Sequence, residues 1–331
     1  MSPRDLDEDD VRSRPGRGKS RPRTKERPRH ESAAPGLVVS VDRGRFSVVL
    51  DGSDTPVAAI KARDLGRKGV VVGDRVRVLG SGAAAERSDL ARIVGVDERE
   101  TALLRTADDT DPVERVIVAN ADQLAIVSAV ASPEPRPGLI DRALVAAYDA
   151  GLQPLLVLTK TDLADPADLL ALYAALAVPV IAVQRGGDLA ELRDRLTGHM
   201  TAFFGHSGVG KSTLVNALAP GTQRSTGGVN AVTGRGRHTS SSAIAIRLPQ
   251  GGWIIDTPGI RSLGLAHVEL GRIIHAFPDL EEGTRDCPRA CSHDEAECAL
   301  DAWAQDEGPD ARARLDSLRR LLRSRALAEE W

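Results

Sequence analysis

The chain of 331 residues has few aromatics: Phe, Trp and Tyr together make up 3%. That scarcity argues against RNA recognition by stacking bases on an aromatic sheet face. Cysteine is scarce too, with three residues, all between 287 and 298. A few clustered thiols in a cytosolic chain point to a metal rather than to disulfides. No apolar run approaches the ~18 residues that a membrane-spanning helix needs. The opening MSPRDLDEDD has no hydrophobic stretch of the secretory kind. The expectation is a cytoplasmic protein with no membrane partner. An excess of one charge is missing as well, since 44 Lys+Arg face 47 Asp+Glu for a net charge of −3. That balance hides a split. Residues 11–30 carry nine basic side chains against Glu26 alone, a local +8, so the remainder sums to −11.

What is present falls into four stretches. Residues 1–34 are charged, rich in Pro, Gly and Ser, and too poor in apolar residues to offset chain entropy. They read as a disordered basic tail, either simply solvated or an arm for nucleic-acid phosphates. Residues 35–107 read as short strands at 37–41, 45–50, 70–72, 74–79 and 92–96 with polar turns between them, the pattern of an OB-like β-barrel. Over 108–265 the pattern becomes α/β. Strands at 116–118, 124–128, 155–158, 180–183 and 253–255 alternate with helices at 140–150, 167–176 and 213–218, which predicts a parallel sheet covered on both faces. Residues 266–331 read as helical around a Cys/His cluster and end in a charged amphipathic helix at 311–327.

The strand end Phe203-Phe204 runs into Gly205-His206-Ser207-Gly208-Val209-Gly210-Lys211-Ser212 and then into a helix from Thr213. This is G-x-x-x-x-G-K-[ST] in its strand–loop–helix setting, a phosphate-binding loop. Glycines let backbone N–H groups curl around phosphates, and the helix N-terminus adds partial positive charge. Lys211 is expected to reach the β- and γ-phosphates and the Ser212 hydroxyl to ligate Mg²⁺. Downstream, a strand ends in Asp256-Thr257-Pro258-Gly259. There Asp256 suits an outer-sphere Mg²⁺ contact, and the Gly259 N–H suits a sensor of the γ-phosphate.

The strand at 155–158 leads into Thr159-Lys160-Thr161-Asp162, which is similar to the N-K-x-D guanine motif with Thr in place of Asn. Asp162 can accept from guanine N1–H and the 2-amino group, a donor pair that adenine lacks. The Lys160 stem can lie over the base plane. The base motif precedes the phosphate loop by about 45 residues, the reverse of the usual order. A parallel sheet builds its pocket at the carboxyl ends of its strands in whatever order the chain visits them, so a circularly permuted GTPase domain is expected. The metal cluster is Cys287-x3-Cys291-x-His293-x4-Cys298, whose three thiolates and one imidazole suit a closed, structural zinc site.

These residues in this order closely resemble the RsgA (YjeQ) family of GTPases dependent on the small ribosomal subunit, over roughly residues 37–325. Ala119-Asn120-Ala121-Asp122-Gln123 is part of the likeness. Gly234-Arg235-Gly236-Arg237-His238-Thr239-Ser240 is similar to the family's first switch, and Asp256–Gly264 to its second. The resemblance implies an OB-fold, a permuted GTPase domain and a C-terminal zinc domain. It also implies GTP and GDP as ligands, Mg²⁺, and one Zn²⁺ per chain. The activity would be GTP hydrolysis in late maturation of the small ribosomal subunit, stimulated by that subunit. The partners would be the subunit, its rRNA and other assembly factors, met by a monomer. Ile260 follows D-x-x-G where many GTPases carry a water-orienting Gln. The resemblance favours His238 for that duty, with a plain phosphate or RNA contact as the alternative, and Thr239 as a further Mg²⁺ ligand. A nucleotide-gated RNA-binding factor and a P-loop ATPase are the rival readings. Asp162 argues against the second.

Overall fold

The computed structural model describes residues 32–65, 69–80, 90–106, 114–221, 243–257, 263, 265, 268 and 270–326. The described residues begin with five short strands, β1 (Ala34–Asp42), β2 (Arg45–Leu50), β3 (Pro56–Lys61), β4 (Arg75–Leu79) and β5 (Ala91–Val96). They pair in the order β1-β2-β3-β5-β4, and β4 pairs back onto β1, so the sheet closes on itself. Every pairing is antiparallel except β3 with β5. Register shifts between Val38 and Ser40 and between Arg77 and Val78 supply the bends that closure needs. The barrel is filled by small branched side chains, chiefly Val38, Val48, Val76, Val78 and Ile93, with Phe46 its one aromatic.

The expected barrel is present, with two local corrections. Residues 70–72 do not form a barrel strand: Val72 makes a single bridge to Val118. The missing strand is β3, whose sequence PVAAIK carries a leading Pro and two alanines in place of a β-branched alternation. A third reassignment concerns residues 116–118. They lie in β7 (Glu114–Ala119), which pairs with β6 (Ala102–Thr106) as a separate hairpin and not with the parallel sheet.

The α/β core follows. Its strands are β8 (Gln123–Ala129), β9 (Gln153–Thr159), β10 (Val180–Ala182), β11 (Met200–Phe204), β12 (Ile244–Arg247) and β13 (Trp253–Asp256), in the order β10-β9-β8-β11-β13-β12. All neighbours are parallel except β12, which runs antiparallel to β13. β8 is buried along its whole length, as a strand covered on both faces must be. Its side chains divide by alternation. Ala125 and Val127 join Leu192, Leu196, Leu214 and Leu218 from α3 (Ala190–Leu196) and α4 (Lys211–Leu218). Leu124 and Ile126 join Ile140, Ala143 and Leu144 of α1 (Pro137–Asp149) and Leu169 and Tyr173 of α2 (Ala167–Ala174).

The last four helices are α5 (Leu270–Ile274), α6 (Pro278–Gly283), α7 (Leu300–Glu307) and α8 (Pro309–Ala326). Their apolar residues, including Leu280, Leu315, Leu318 and Leu321, belong to the same cluster as α1. β1 pairs with β12 at Ser40 and Ile244, which joins the barrel to the core sheet, and Leu37 and Val39 of β1 belong to the same apolar cluster as α1. Among the described residues no helix is long and apolar enough to cross a membrane.

Candidate functional site

Because β8, β9, β11 and β13 run parallel, their carboxyl ends share one edge of the sheet. Gly205–Ser212 leaves β11 at that edge and turns into α4, which begins at Lys211 and contains Ser212 and Thr213. The loop needs its glycines for two different reasons. A Cβ at Gly205 would sit 2.5 Å from the Val127 carbonyl oxygen of β8. Gly208 and Gly210 take φ of +87° and +93°, backbone that side chains disfavour. Lys211, partly buried, pairs with the buried carboxylate of Asp256 at the end of β13 and also donates to the Thr257 carbonyl at 3.5 Å. Thr257 in turn donates its hydroxyl to the Phe203 carbonyl at 2.6 Å, tying the two strand ends together.

The base motif follows β9 at the same edge. Thr159 is buried and donates to the Val209 carbonyl of the phosphate loop at 2.5 Å. Lys160, held at φ +61°, donates to the Gly208 carbonyl at 2.8 Å and to the Ser132 carbonyl in the loop after β8. Asp162 is exposed beyond them. The segment after β10 closes on this loop, with Thr161 N–H donating to the Val183 carbonyl at 3.4 Å. The structure therefore brings Thr159, Lys160, Gly205, His206, Ser207, Gly208, Val209, Gly210, Lys211, Ser212, Thr213 and Asp256 to one edge, with Asp162 on the adjoining loop. His238, Thr239, Gly259 and Ile260 lie outside the described residues. The sequence reading missed Ser132 and Val183. Both act through main-chain carbonyls, which leave no residue-type signal. Asn120, at the head of β8, has a structural duty. It donates to the Gly73 carbonyl at 2.9 Å and accepts from the Glu100 N–H, pinning the barrel's β3–β4 connection to the core.

The second site lies between α6 and α7. Cys287, Cys291, His293 and Cys298 offer four ligand atoms all within 4.8 Å of one another. Cys287 Sγ stands 3.8 Å from Cys298 Sγ and 3.7 Å from His293 Nδ1. Zn–S bonds of ~2.3 Å and Zn–N bonds of ~2.0–2.1 Å in a tetrahedron put ligand atoms about 3.5–3.8 Å apart, so the donor set and its spacing fit zinc. All three cysteines are unbridged. Left-handed φ at Ala290 (+60°) and His293 (+64°) folds the short loop back on itself. Burial holds the His293 imidazole below its ordinary pKa, so it is neutral at pH 7, the form that ligates. Arg319 of α8 donates to the His293 carbonyl at 2.9 Å and forks onto Asp301 at 2.7 and 2.8 Å, so α7 and α8 support the loop from outside.

A family model described as RsgA GTPase matches residues 96–266. The chain belongs to the RsgA GTPase family. The small ribosomal subunit biogenesis GTPase RsgA of Pseudomonas aeruginosa is 44% identical over 218 residues, and that of Azotobacter vinelandii is 42% identical over the same length. Each match covers 63% of this chain. It spans 64% of the Pseudomonas protein and 63% of the Azotobacter one, in both cases less than two thirds. The crystal structure of YjeQ from Thermotoga maritima aligns with a TM-score of 0.66 at 27% identity, covering 89% of this chain and 99% of that one. That of YloQ, described as a circularly permuted GTPase, aligns with a TM-score of 0.65 and 23% identity, which speaks to the fold alone. In this RsgA-family chain the strand bearing the base motif precedes the strand bearing the phosphate loop, yet the sheet sets both loops side by side.

Proposed function

We propose that the chain is a GTP phosphohydrolase that binds the small ribosomal subunit and acts in its late maturation. In that role it turns GTP into GDP and phosphate under stimulation by the subunit and promotes release of assembly factors. The observation that carries the guanine-nucleotide part is the stitching of Thr159 and Lys160 to the carbonyls of Val209 and Gly208. It fixes the base loop and the phosphate loop as one unit, with the Asp162 carboxylate free to accept from guanine. The small ribosomal subunit comes from the names of the curated relatives, and contact with its rRNA, a cytoplasmic setting and a monomeric state belong to the same proposal. In the domain scheme, residues 35–107 serve as the RNA-facing barrel, 108–265 as the GTPase unit and 266–331 as the zinc-supported helical unit. The basic tail 1–34 adds phosphate contacts.

In this reading Lys211 balances charge on the β- and γ-phosphates. Doing so requires it to leave Asp256, whose carboxylate would then serve the Mg²⁺ shell. Ser212 and Thr239 would hold Mg²⁺, which supplies charge neutralisation during phosphoryl transfer. The Gly259 N–H would serve as the sensor of the γ-phosphate. Ile260 offers no hydrogen bond to water, so His238 would orient the attacking water when the subunit is bound. Zinc at Cys287, Cys291, His293 and Cys298 is structural, one ion per chain, with no open position for chemistry.

The test is single-turnover GTP hydrolysis by the full chain, with and without purified small subunits, for wild type and His238→Ala. Partners acting in trans raise GTPase rates by ~10³–10⁵-fold. The wild type is expected to gain a stimulation of that order, and His238→Ala to bind subunits but lose most of it. Absence of subunit stimulation in the wild type leaves the RNA-binding rival standing.

A further inference from the structure

We propose that Thr159 is a positioning residue for the phosphate loop and makes no hydrogen bond to the base, so the pocket does not read guanine N7 through this motif. The inference rests on the guanine-nucleotide reading above and narrows it.

The argument is one of proton supply. A threonine hydroxyl has a single proton to donate. Here that proton goes to the Val209 carbonyl at 2.5 Å, inside the protein. Guanine N7 and O6 are acceptors only, so Thr159 has nothing left to offer them. Asn, with two amide protons, is the residue that can serve a loop carbonyl and a base together.

Its bond does a different job. The Val209–Gly210 peptide is trans, so its C=O and N–H point in opposite directions. Drawing the Val209 carbonyl towards Thr159 therefore turns the Gly210 N–H away from Thr159. Lys160 treats the preceding peptide alike by taking the Gly208 carbonyl at 2.8 Å. Two successive peptide planes are thus oriented from the base loop. The fit is close. A Cβ on Gly210 would meet Thr159 Oγ1 at 3.7 Å and its Cβ at 3.9 Å, so the threonine lies directly against the crest of the loop. Loss of the hydroxyl would leave the Val209 carbonyl without this partner and free that crest to rotate.

The experiment is displacement of a fluorescent guanine nucleotide from the full chain by GTP and by 7-deaza-GTP, in which N7 is replaced by C–H. Wild type is expected to bind the two within about twofold of each other. Thr159→Val should weaken both by the same factor, about tenfold for one lost hydrogen bond to a buried carbonyl. Thr159→Ser should restore them. Thr159→Asn should keep the loop contact and acquire a preference for GTP over its 7-deaza analogue. A merely structural role would not create that new preference. Should Thr159→Val fail to fold, the wild-type and Thr159→Asn comparisons decide alone. Wild type binding 7-deaza-GTP tenfold or more weakly than GTP overturns the proposal, as does Thr159→Val with unchanged affinity. Asp162→Asn, assayed in parallel, tests the underlying reading. If it fails to shift preference from GTP towards xanthosine triphosphate, the base pocket itself is misassigned. If that shift occurs while wild type rejects 7-deaza-GTP, the role given to Thr159 falls alone.

Discussion

Replacing Arg320 by Met should loosen the C-terminal helix from the nucleotide core, with a cost that depends on pH. Arg320 of α8 donates Nε to the Asp141 carboxylate of α1 at 3.1 Å, and its guanidinium lies 5.1 Å from the centre of the Tyr173 ring. Asp141 is buried, and burial pushes its carboxyl above the ordinary range, with the Arg320 charge and the Tyr173 hydroxyl pulling it part of the way back. Without Arg320 the buried carboxylate loses its counter-charge, a change that costs about 3–5 kcal/mol. Protonation offers relief. A group whose folded pKa exceeds its unfolded one contributes stability below the unfolded value and loses it as pH rises through the folded one. Loss of Arg320 raises the folded value further, so between the wild-type and variant folded values the relative cost of the variant should shrink by up to ~1.4 kcal/mol per pH unit on acidification. Urea unfolding of wild type and Arg320→Met at pH 7.5 and 5.5 measures both effects. Adding Asp141→Leu should recover most of the loss, because an apolar pair of similar volume replaces the ion pair. A cost below about 1 kcal/mol at both pH values would refute the reasoning, since an unpaired buried carboxylate cannot be that inexpensive.

Other outcomes follow from the same structure. Purified protein should carry one zinc ion by metal analysis, and Cys291→Ser should lose it. Proteolysis near 287–298 should then increase while GTP binding persists, because the phosphate and base loops are carried by β9 and β11 and share no residue with the cluster. Hydrogen bonds from Arg319 to Asp301 and from Arg323 to Asp294 hold both carboxyls below their ordinary pKa. Their stabilisation is present above the ordinary value and lost as pH falls through the lower folded values, so Arg319→Met should flatten the acid limb of a stability–pH profile. Lys211→Ala should weaken GTP binding and turnover together, because its charge serves ground and transition states alike, and equilibrium binding beside single-turnover rates would show it. Subunit binding should fall steeply with salt, and removal of residues 1–34 should lessen that slope if the tail contacts phosphates.

Local signals were the legible ones. The phosphate loop, the base motif and the zinc ligands each declare themselves within a dozen residues, and the apolar runs of β8 and β9 announce a covered parallel sheet. Pairings that depend on distant partners were not. The apolar run at 70–72 looks like a strand but gains only one bridge, whereas PVAAIK looks weak yet finds two neighbours in β2 and β5. Residues 116–118 are apolar enough for either sheet, and their pairing with Ala102–Thr106 decides the matter. Thr159 reads as a poorer Asn until its partner, 50 residues away, is known. Helix α3 and strand β12 are short and passed without notice.

The shared apolar cluster of α1 and α8 has a consequence for synthesis. About 160 residues separate Asp149, where α1 ends, from Pro309, where α8 begins. At ~5–20 residues per second, a nascent α1 waits roughly 8–30 s for the leucines that cover it. During that interval the chain can have its phosphate loop assembled and one flank of its core still bare. Holding chaperones should therefore favour nascent chains stalled after α4 over those released with α8, and a guanine nucleotide could already be bound before the last helix arrives.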